Sequence, residues 1–123
     1  MTTYLIIDDE PIAHDIIKGY CDLLPDMKLA KDCYDAIEAL GFLRTNKVDL
    51  IFLDLNMPVW DGWQFLDEFS QLDIENPPAI YIMTSSNSPY DLKKLNNYNM
   101  VTNYLVKPIS RDAIATILES EVS

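Results

Sequence analysis

The sequence predicts one α/β domain, a five-stranded parallel sheet with helices on both faces. Three observations predict it. Four apolar runs, Tyr4–Ile7, Leu50–Leu53, Ala79–Met83 and Val101–Val106, are near-continuous rather than alternating, as strands covered on both faces are. Segments of helical periodicity lie between them, so strand and helix alternate along the chain, the order that builds a parallel sheet. The connections are a few residues long, without repeat, low-complexity tract or linker, and right-handed crossovers then leave few topologies.

Each element has its own signal. The first strand, Tyr4–Ile7, leads to a helix whose apolar residues Ile12, Ile16, Ile17, Tyr20 and Leu24 follow a helical spacing before Pro25 ends it. Met27–Cys33 alternates apolar and polar residues, the pattern of an edge strand. Ala36, Ile37, Leu40 and Leu43 mark the buried face of the second helix. After the third strand and Gly62, Phe65, Leu66 and Phe69 mark the third. Ser88-Pro89 is an N-cap followed by a first-turn proline, opening a helix that carries Leu92 and Leu95. Ser110 caps a last helix with Ala113, Ile114, Ile117 and Leu118 on its inner face. Residues 1–123 therefore form a single domain, and the chain stops about where the fifth helix should end.

Composition narrows the function. At 123 residues, 49% apolar and 24% charged, the chain has material for one core and no second one. Twenty acidic against nine basic residues leave a net charge of −11, which repels nucleic acid and anionic lipid and favours cations or a basic partner patch. Cys21 and Cys33 form no CxxC pair, and His14 is the one histidine, so zinc and disulfide frameworks are poor readings. Both cysteines are expected as small buried hydrophobes in a reducing compartment. No apolar run has the length of a membrane span, and the start lacks a signal-peptide pattern. A cytoplasmic protein is expected.

The polar residues that end the strands carry the chemistry. The first strand ends in Asp8-Asp9, the third in Asp54, the fourth in Thr84 and the fifth in Lys107. Open α/β sheets bind ligands beyond the carboxyl ends of their strands, where the strand order reverses. Taken singly, each residue has a plainer role: an Asp after a strand caps a helix, a Thr is a strand former, a Lys before Pro is surface. Together they place three carboxylates, a hydroxyl and an ammonium on one small area. Neighbouring carboxylates repel and need cationic compensation. Lys107 supplies part of it, and a hard divalent ion held by carboxylates and phosphate oxygens supplies the rest. The pattern points to a Mg²⁺-dependent phosphoryl site with a carboxylate nucleophile.

Asp8-Asp9-Glu10-Pro11, then Asp54-Leu55-Asn56-Met57-Pro58 with Asp61-Gly62, then Thr84-Ser85-Ser86, then Lys107-Pro108 resemble the response regulator receiver domains of two-component signalling. The resemblance covers the whole chain and implies a flavodoxin-like (βα)5 sandwich. It implies that Asp54 accepts a phosphoryl group from the phosphohistidine of a sensor histidine kinase or phosphotransfer protein, and later loses it by hydrolysis. Asp9, Asp54 and the backbone carbonyl of Asn56 would hold Mg²⁺ (Mn²⁺ as alternative), with Asp8 acting through water. Lys107 would pair with the phosphate, through a cis peptide into Pro108. Thr84 would bond the phosphate and draw its loop inward, with Tyr104 following. The face formed by residues 88–97, 101–106 and 111–120 would then change shape and control an effector protein or an output domain. Asn56 and Ser86 stand where the family tunes phosphate lifetime. Glu10, Pro11 and His14 would line the kinase-docking edge. Such a domain is a phosphoacceptor rather than an enzyme, and a monomer, or a dimer once phosphorylated.

Other residues admit two roles. His14 lies off the apolar stripe of the first helix and is expected in solvent or facing the kinase. Trp63 is expected in or near the core, and Trp60 near the phosphate site as a partner contact or loop cover. Tyr90, Tyr98, Lys93 and Lys94 are expected on the output face. Two other classes share parts of the pattern. A haloacid-dehalogenase-like phosphatase would end its first strand in DxD and turn over phosphate monoesters. A flavodoxin-type carrier would need a Ser/Thr/Gly-rich loop after strand one, where this chain has Asp8-Asp9-Glu10. Within the receiver reading, the stretch from Asn56 to Lys107 is similar to single-domain regulators, and the opening is similar to receivers joined to LytTR-type DNA-binding domains. The absence of a linker after the fifth helix favours the stand-alone form.

Overall fold

The computed structural model describes residues 2–57, 61–85 and 89–122, with side chains up to residue 119. Strands and helices alternate as β1 (Thr2–Ile7), α1 (Pro11–Cys21), β2 (Met27–Cys33), α2 (Ala36–Leu43), β3 (Leu50–Asp54), α3 (Gly62–Phe69), β4 (Ala79–Thr84), α4 (Pro89–Leu95), β5 (Val101–Val106) and α5 (Arg111–Val122). All pairings are parallel, in the order β2-β1-β3-β4-β5. The chain leaves β1 toward one edge and returns at β3 toward the other, so the β1/β3 boundary is where the strand order reverses.

The continuous apolar runs have a direct structural cause. Successive strand residues point to opposite faces, and in β1, β3 and β4 both faces are covered. Leu5, Ile7, Ile51, Leu53, Ile80 and Ile82 pack with α2 and α3 residues such as Leu40 and Phe65. Tyr4, Ile6, Leu50, Phe52, Tyr81 and Met83 pack with Ile17 of α1 and with Ile114 and Leu118 of α5. The expected inner face of α5 is present, and Ser110 Oγ accepts the Ala113 N–H at 3.1 Å as its cap. Both cysteines are free and buried.

Two helical faces differ from the sequence expectation. On α1 the buried residues are Ala13, His14, Ile17 and Cys21, and Ile12 is 70% exposed. The spacing 13, 17, 21 is as helical as 12, 16, 20, and an all-apolar template picked the neighbouring stripe. On α2, Ala36, Ala39, Leu40 and Leu43 face inward while Ile37 is exposed. Small alanines let that helix approach the sheet, and the larger isoleucine is left outside. β5 also departs from a doubly covered strand. It is the last strand of the sheet, and of its residues only Leu105 is buried.

One glycine is required by packing. A Cβ on Gly62 would lie 2.7 Å from Leu55 Cα and 2.8 Å from the Asp54 carbonyl oxygen. The start of α3 therefore presses directly on the backbone that carries Asp54. Asp61 caps the helix there, accepting the Gln64 N–H at 2.9 Å, and the Gly62 N–H donates to the Leu55 carbonyl at 3.0 Å.

Candidate functional site

The site forms at the carboxyl ends of β1, β3, β4 and β5. Asp54 is the last residue of β3 and is 1% exposed; Asp8 follows β1 and is fully buried. Lys107 follows β5 and reaches both. Its Nζ lies 2.8 Å from Asp8 Oδ2, 3.0 Å from Glu10 Oε1 and 3.6 Å from Asp54 Oδ2. Residues 99 positions apart in the chain thus meet in one ion pair. Its backbone is joined to the next strand as well, the Lys107 N–H donating to the Thr84 carbonyl at 2.7 Å. The Lys107–Pro108 peptide is cis.

Asp54 sits among carboxylates. Asp8, Asp9, Glu10 and Asp54 each offer one oxygen, and these oxygens lie within 4.8 Å of one another. Asp54 Oδ1 accepts the Asn56 N–H at 3.1 Å. Asp54 Oδ2 and Asp9 Oδ1 are buried and lack a hydrogen-bond partner among the described residues. Burial pushes the Asp54 carboxyl up to about 7; the Asn56 N–H opposes this, Asp8 adds to it, Lys107 opposes it and Asp9 adds to it. Burial alone would lower Lys107, but its hydrogen bonds to Asp8 and Glu10 and the Asp54 charge outweigh that and raise it.

A cation fits this arrangement on its own chemistry. Two buried carboxylate oxygens without a donor among the described residues carry a desolvation cost that Lys107, near one of them, only partly offsets. Hard oxygen ligands of this number and charge suit Mg²⁺ or Mn²⁺. Asp8 has both side-chain oxygens engaged, one by Lys107 and one by the Glu10 N–H at 2.8 Å. Asp9 and Asp54 have an oxygen each left over. The set is therefore asymmetric, with Asp9 and Asp54 as the open pair.

Thr84 is buried at the end of β4, in register with Val106. Asn56 is exposed, and its side-chain amide donates to Ser85 Oγ at 3.3 Å. Tyr104 stands on β5 at 38% exposure, beside a hollow shared with Leu92, Leu95 and Tyr98. Pro58, Trp60, Ser86 and Ser88 lie outside the described residues.

One expectation changes, and other side chains take further contacts. His14 does not face solvent. It is fully buried, with Nε2 at 2.8 Å from the Asp8 carbonyl oxygen and Nδ1 at 2.7 Å from Asp32 Oδ1. Its two polar partners explain how a polar residue occupies the inner stripe of α1. Glu10, expected at the docking edge, is exposed there and also joins the acidic cluster and pairs with Lys107, a role that its place as the third acid of the Asp8-Asp9-Glu10 run signalled. Lys94 and Tyr98, expected on the output face or on a merely solvated helix, also contact α3, while Tyr98 lines the hollow beside Tyr104. Lys94 Nζ lies 4.4 Å from the Trp63 ring centre, Tyr98 stacks at a tilt on Trp63, and its hydroxyl donates to Asp67 at 2.9 Å. Trp63 packs against the core edge as expected.

The response regulator receiver domain family model matches residues 4–119. The chain belongs to the response regulator receiver domain family. Among relatives of this receiver domain, the transcriptional regulatory protein BtsR of Escherichia coli (strain K12) is 31% identical over 109 residues, which is 89% of this chain and 43% of BtsR. The chain spans less than half the length of that relative. A two-component response regulator from Clostridium difficile superposes with a TM-score of 0.86 at 24% identity, covering 99% of this chain and 96% of that one. The response regulatory domain of protein mrkE from Klebsiella pneumoniae superposes with a TM-score of 0.81 at 26% identity, covering 97% and 93%. The five-stranded flavodoxin-like architecture expected from sequence is the one observed. Among the described residues, no helix is long and apolar enough to cross a membrane.

Proposed function

We propose that this receiver domain takes a phosphoryl group on Asp54 from the phosphohistidine of a sensor histidine kinase or phosphotransfer protein, in a Mg²⁺-dependent step. The carrying observation is a buried Asp54 oxygen that lacks a hydrogen-bond partner among the described residues, lies 3.6 Å from a lysine ammonium and belongs to an acidic cluster with Asp9. A nucleophile needs a free oxygen, and an incoming phosphoryl group needs a cation already in place. Asp54 Oδ2 attacks phosphorus, the P–N bond to the donor imidazole breaks, and the leaving nitrogen keeps the electron pair and takes a proton. The product is an acyl phosphate, which water later hydrolyses to restore the carboxylate.

Asp9, Asp54 and the Asn56 carbonyl would hold Mg²⁺, or Mn²⁺ in its place, with Asp8 joining through water. When bound, such an ion neutralises phosphate charge and favours the ionised form of Asp54. Lys107 already spans Asp8, Glu10 and Asp54, so a new dianionic group can draw it from Asp8 toward the phosphate. Thr84 moves toward the same group, and the backbone bond between Lys107 and Thr84 couples the two strand ends. Tyr104 turns inward with them. The α4–β5–α5 face is the output, acting on an effector protein or on an output domain outside these residues.

The donor docks beside Glu10, where Ile12, Ala13, Ile16, Pro108 and Ile109 line an apolar hollow of about 380 Å³ that reaches Lys107. The exposure of Ile12 then has a use, because exposed apolar side chains around a polar site mark contact surfaces. The domain is a cytoplasmic phosphoacceptor without turnover of external substrates, a monomer or a dimer once phosphorylated, and its acidity argues against direct contact with nucleic acid.

Incubation with a small acyl phosphate and Mg²⁺, followed by intact-mass measurement, tests the reading. One added phosphoryl group is expected in the wild type and none in Asp54→Asn or after chelation. An unmodified wild type, or an adduct that survives in Asp54→Asn, overturns it.

A further inference from the structure

His14 has no part in the phosphoryl chemistry above, yet it is fully buried and bonded at both ring nitrogens. One nitrogen faces the Asp8 carbonyl oxygen and the other faces Asp32 Oδ1. The Asp32 carboxyl feels burial, which would raise it, but hydrogen bonds from Lys18 and His14 win and hold it below the ordinary range. A carbonyl oxygen and a carboxylate oxygen both accept, so each ring nitrogen has an acceptor within hydrogen-bond reach. Lys18 Nζ lies 2.9 Å from the other Asp32 oxygen, and Tyr34 stacks on the imidazole with ring centres 4.3 Å apart. The chain of contacts runs from the edge strand β2, through His14 on α1, to the loop after β1.

What this chain of contacts holds is the peptide between Asp8 and Asp9. The Asp8 N–H donates to the Cys33 carbonyl at 3.0 Å, the Asp8 carbonyl accepts from His14, and Asp8 Oδ1 accepts the Glu10 N–H. Every polar group of Asp8 is thereby engaged. Asp9 is the opposite case, since its buried Oδ1 has no hydrogen-bond partner among the described residues. One Asp9 oxygen lies within 4.8 Å of an Asp54 oxygen, and the bonds that hold the neighbouring main chain limit where the Asp9 side chain can sit. His14 sets the plane on one side, and the Asp8–Glu10 bond sets it on the other.

We propose that His14 is a positioning residue for the cation site, orienting the Asp8–Asp9 peptide so that Asp9 meets Asp54, with Asp32 fixing the ring in that role. The inference rests on the cation-binding reading of the site. Partners that orient ligands from outside the coordination sphere typically change metal affinity about 10- to 100-fold when removed.

Calorimetric titration of the whole chain with Mn²⁺ alone, paired with thermal melting, tests it. Asp9→Asn serves as the blank for cations held loosely by the acidic surface. His14→Leu is expected to weaken the Asp9-dependent binding about tenfold, and Asp32→Asn about threefold. Ile17→Val, a core change on the same helix, is expected to lower the melting temperature and leave affinity unchanged. If His14→Leu binds Mn²⁺ as the wild type does, or if Ile17→Val weakens binding equally, the positioning role falls. Should His14→Leu fail to melt cooperatively, Asp32→Asn decides alone, and wild-type affinity there overturns the proposal. A wild type that binds no better than Asp9→Asn sinks the cation site itself, a separate outcome.

Discussion

The two edges of the sheet are built differently. At the β2 edge, a buried histidine, a partly buried aspartate and a lysine tie the strand to the loop that carries Asp8 and Asp9. At the β5 edge, Thr102, Asn103, Tyr104 and Val106 are exposed and Leu105 alone is buried. The first edge supports groups that must stay fixed, the acids of the cluster. The second supports Thr84 and Lys107, the groups that the proposed reaction would move. Local free energies of rearrangement follow buried contacts and internal hydrogen bonds, so change at β5 costs less than change at β2. Each edge strand has one buried residue, Cys33 on β2 and Leu105 on β5, but β2 leaves only Lys28 exposed where β5 leaves four residues exposed. Under the proposed function the β2 side would therefore hold and the β5 side would switch.

Lys107 is the place where that division is most exposed to attack, because it joins the loose edge to the fixed acids. Lys107→Ala leaves Asp8 buried and stripped of its ion-pair partner, and losing one partner of such a pair costs roughly 3 kcal/mol. Chemical denaturation without divalent cation should show a loss of that order. Adding Mg²⁺ should recover much of it, since a cation among the acids replaces the missing charge. A loss that Mg²⁺ leaves untouched would mean that Lys107 acts through packing, and the comparison between the edges would lose its electrostatic basis.

How much of this was legible in the sequence depends on what kind of residue carries the information. Asp8, Asp9, Asp54, Thr84 and Lys107 were readable because each ends an apolar run, and a parallel sheet brings strand ends together whatever the details of packing. His14 was not readable. Its partners, Asp32 and the Asp8 carbonyl, lie 18 and 6 residues away, and a polar residue on a helix looks solvent-facing until a buried acceptor is known. Ile12 and Ile37 misled for the complementary reason. Hydrophobic periodicity shows that a helix has an inner face, but two adjacent stripes on α1 satisfy it, and the choice falls to packing. The exposure of β5 follows from strand order, which the apolar run Val101–Val106 does not encode.

The acids on the fixed side predict a pH signature. Asp54 has a folded-state pKa of about 7 against an ordinary value of 3.8, so the folded protein binds the proton more tightly than the unfolded chain does. Its contribution to stability is then fully present below about pH 4, declines as pH rises toward 7 and is level above. Asp54→Asn lacks this decline. Without cation, the variant should gain on the wild type between those limits and lead by roughly 2 kcal/mol above pH 8, as replacing buried charge commonly does. Saturating Mg²⁺ should narrow the gap by favouring the carboxylate. Melting both proteins across the pH series checks the sign, and a wild type that leads at high pH would contradict the strain assigned to the acidic cluster.

The smallest effect is expected at the loose edge itself. Tyr104 stands on β5 at 38% exposure, in register with the buried Ile82 of β4. Tyr104→Ala removes a ring that borders solvent, and exposed positions away from caps and buried networks usually tolerate change within about 1 kcal/mol. Denaturant midpoints should therefore scarcely move. The phosphoryl adduct on Asp54 should form as in the wild type, because Tyr104 stands on β5 away from the acids that end β1 and β3. If Tyr104→Ala instead destabilises the fold as strongly as Lys107→Ala does, the β5 edge is held as firmly as the β2 edge. The asymmetry between a holding side and a switching side would then be one of exposure without consequence for energy.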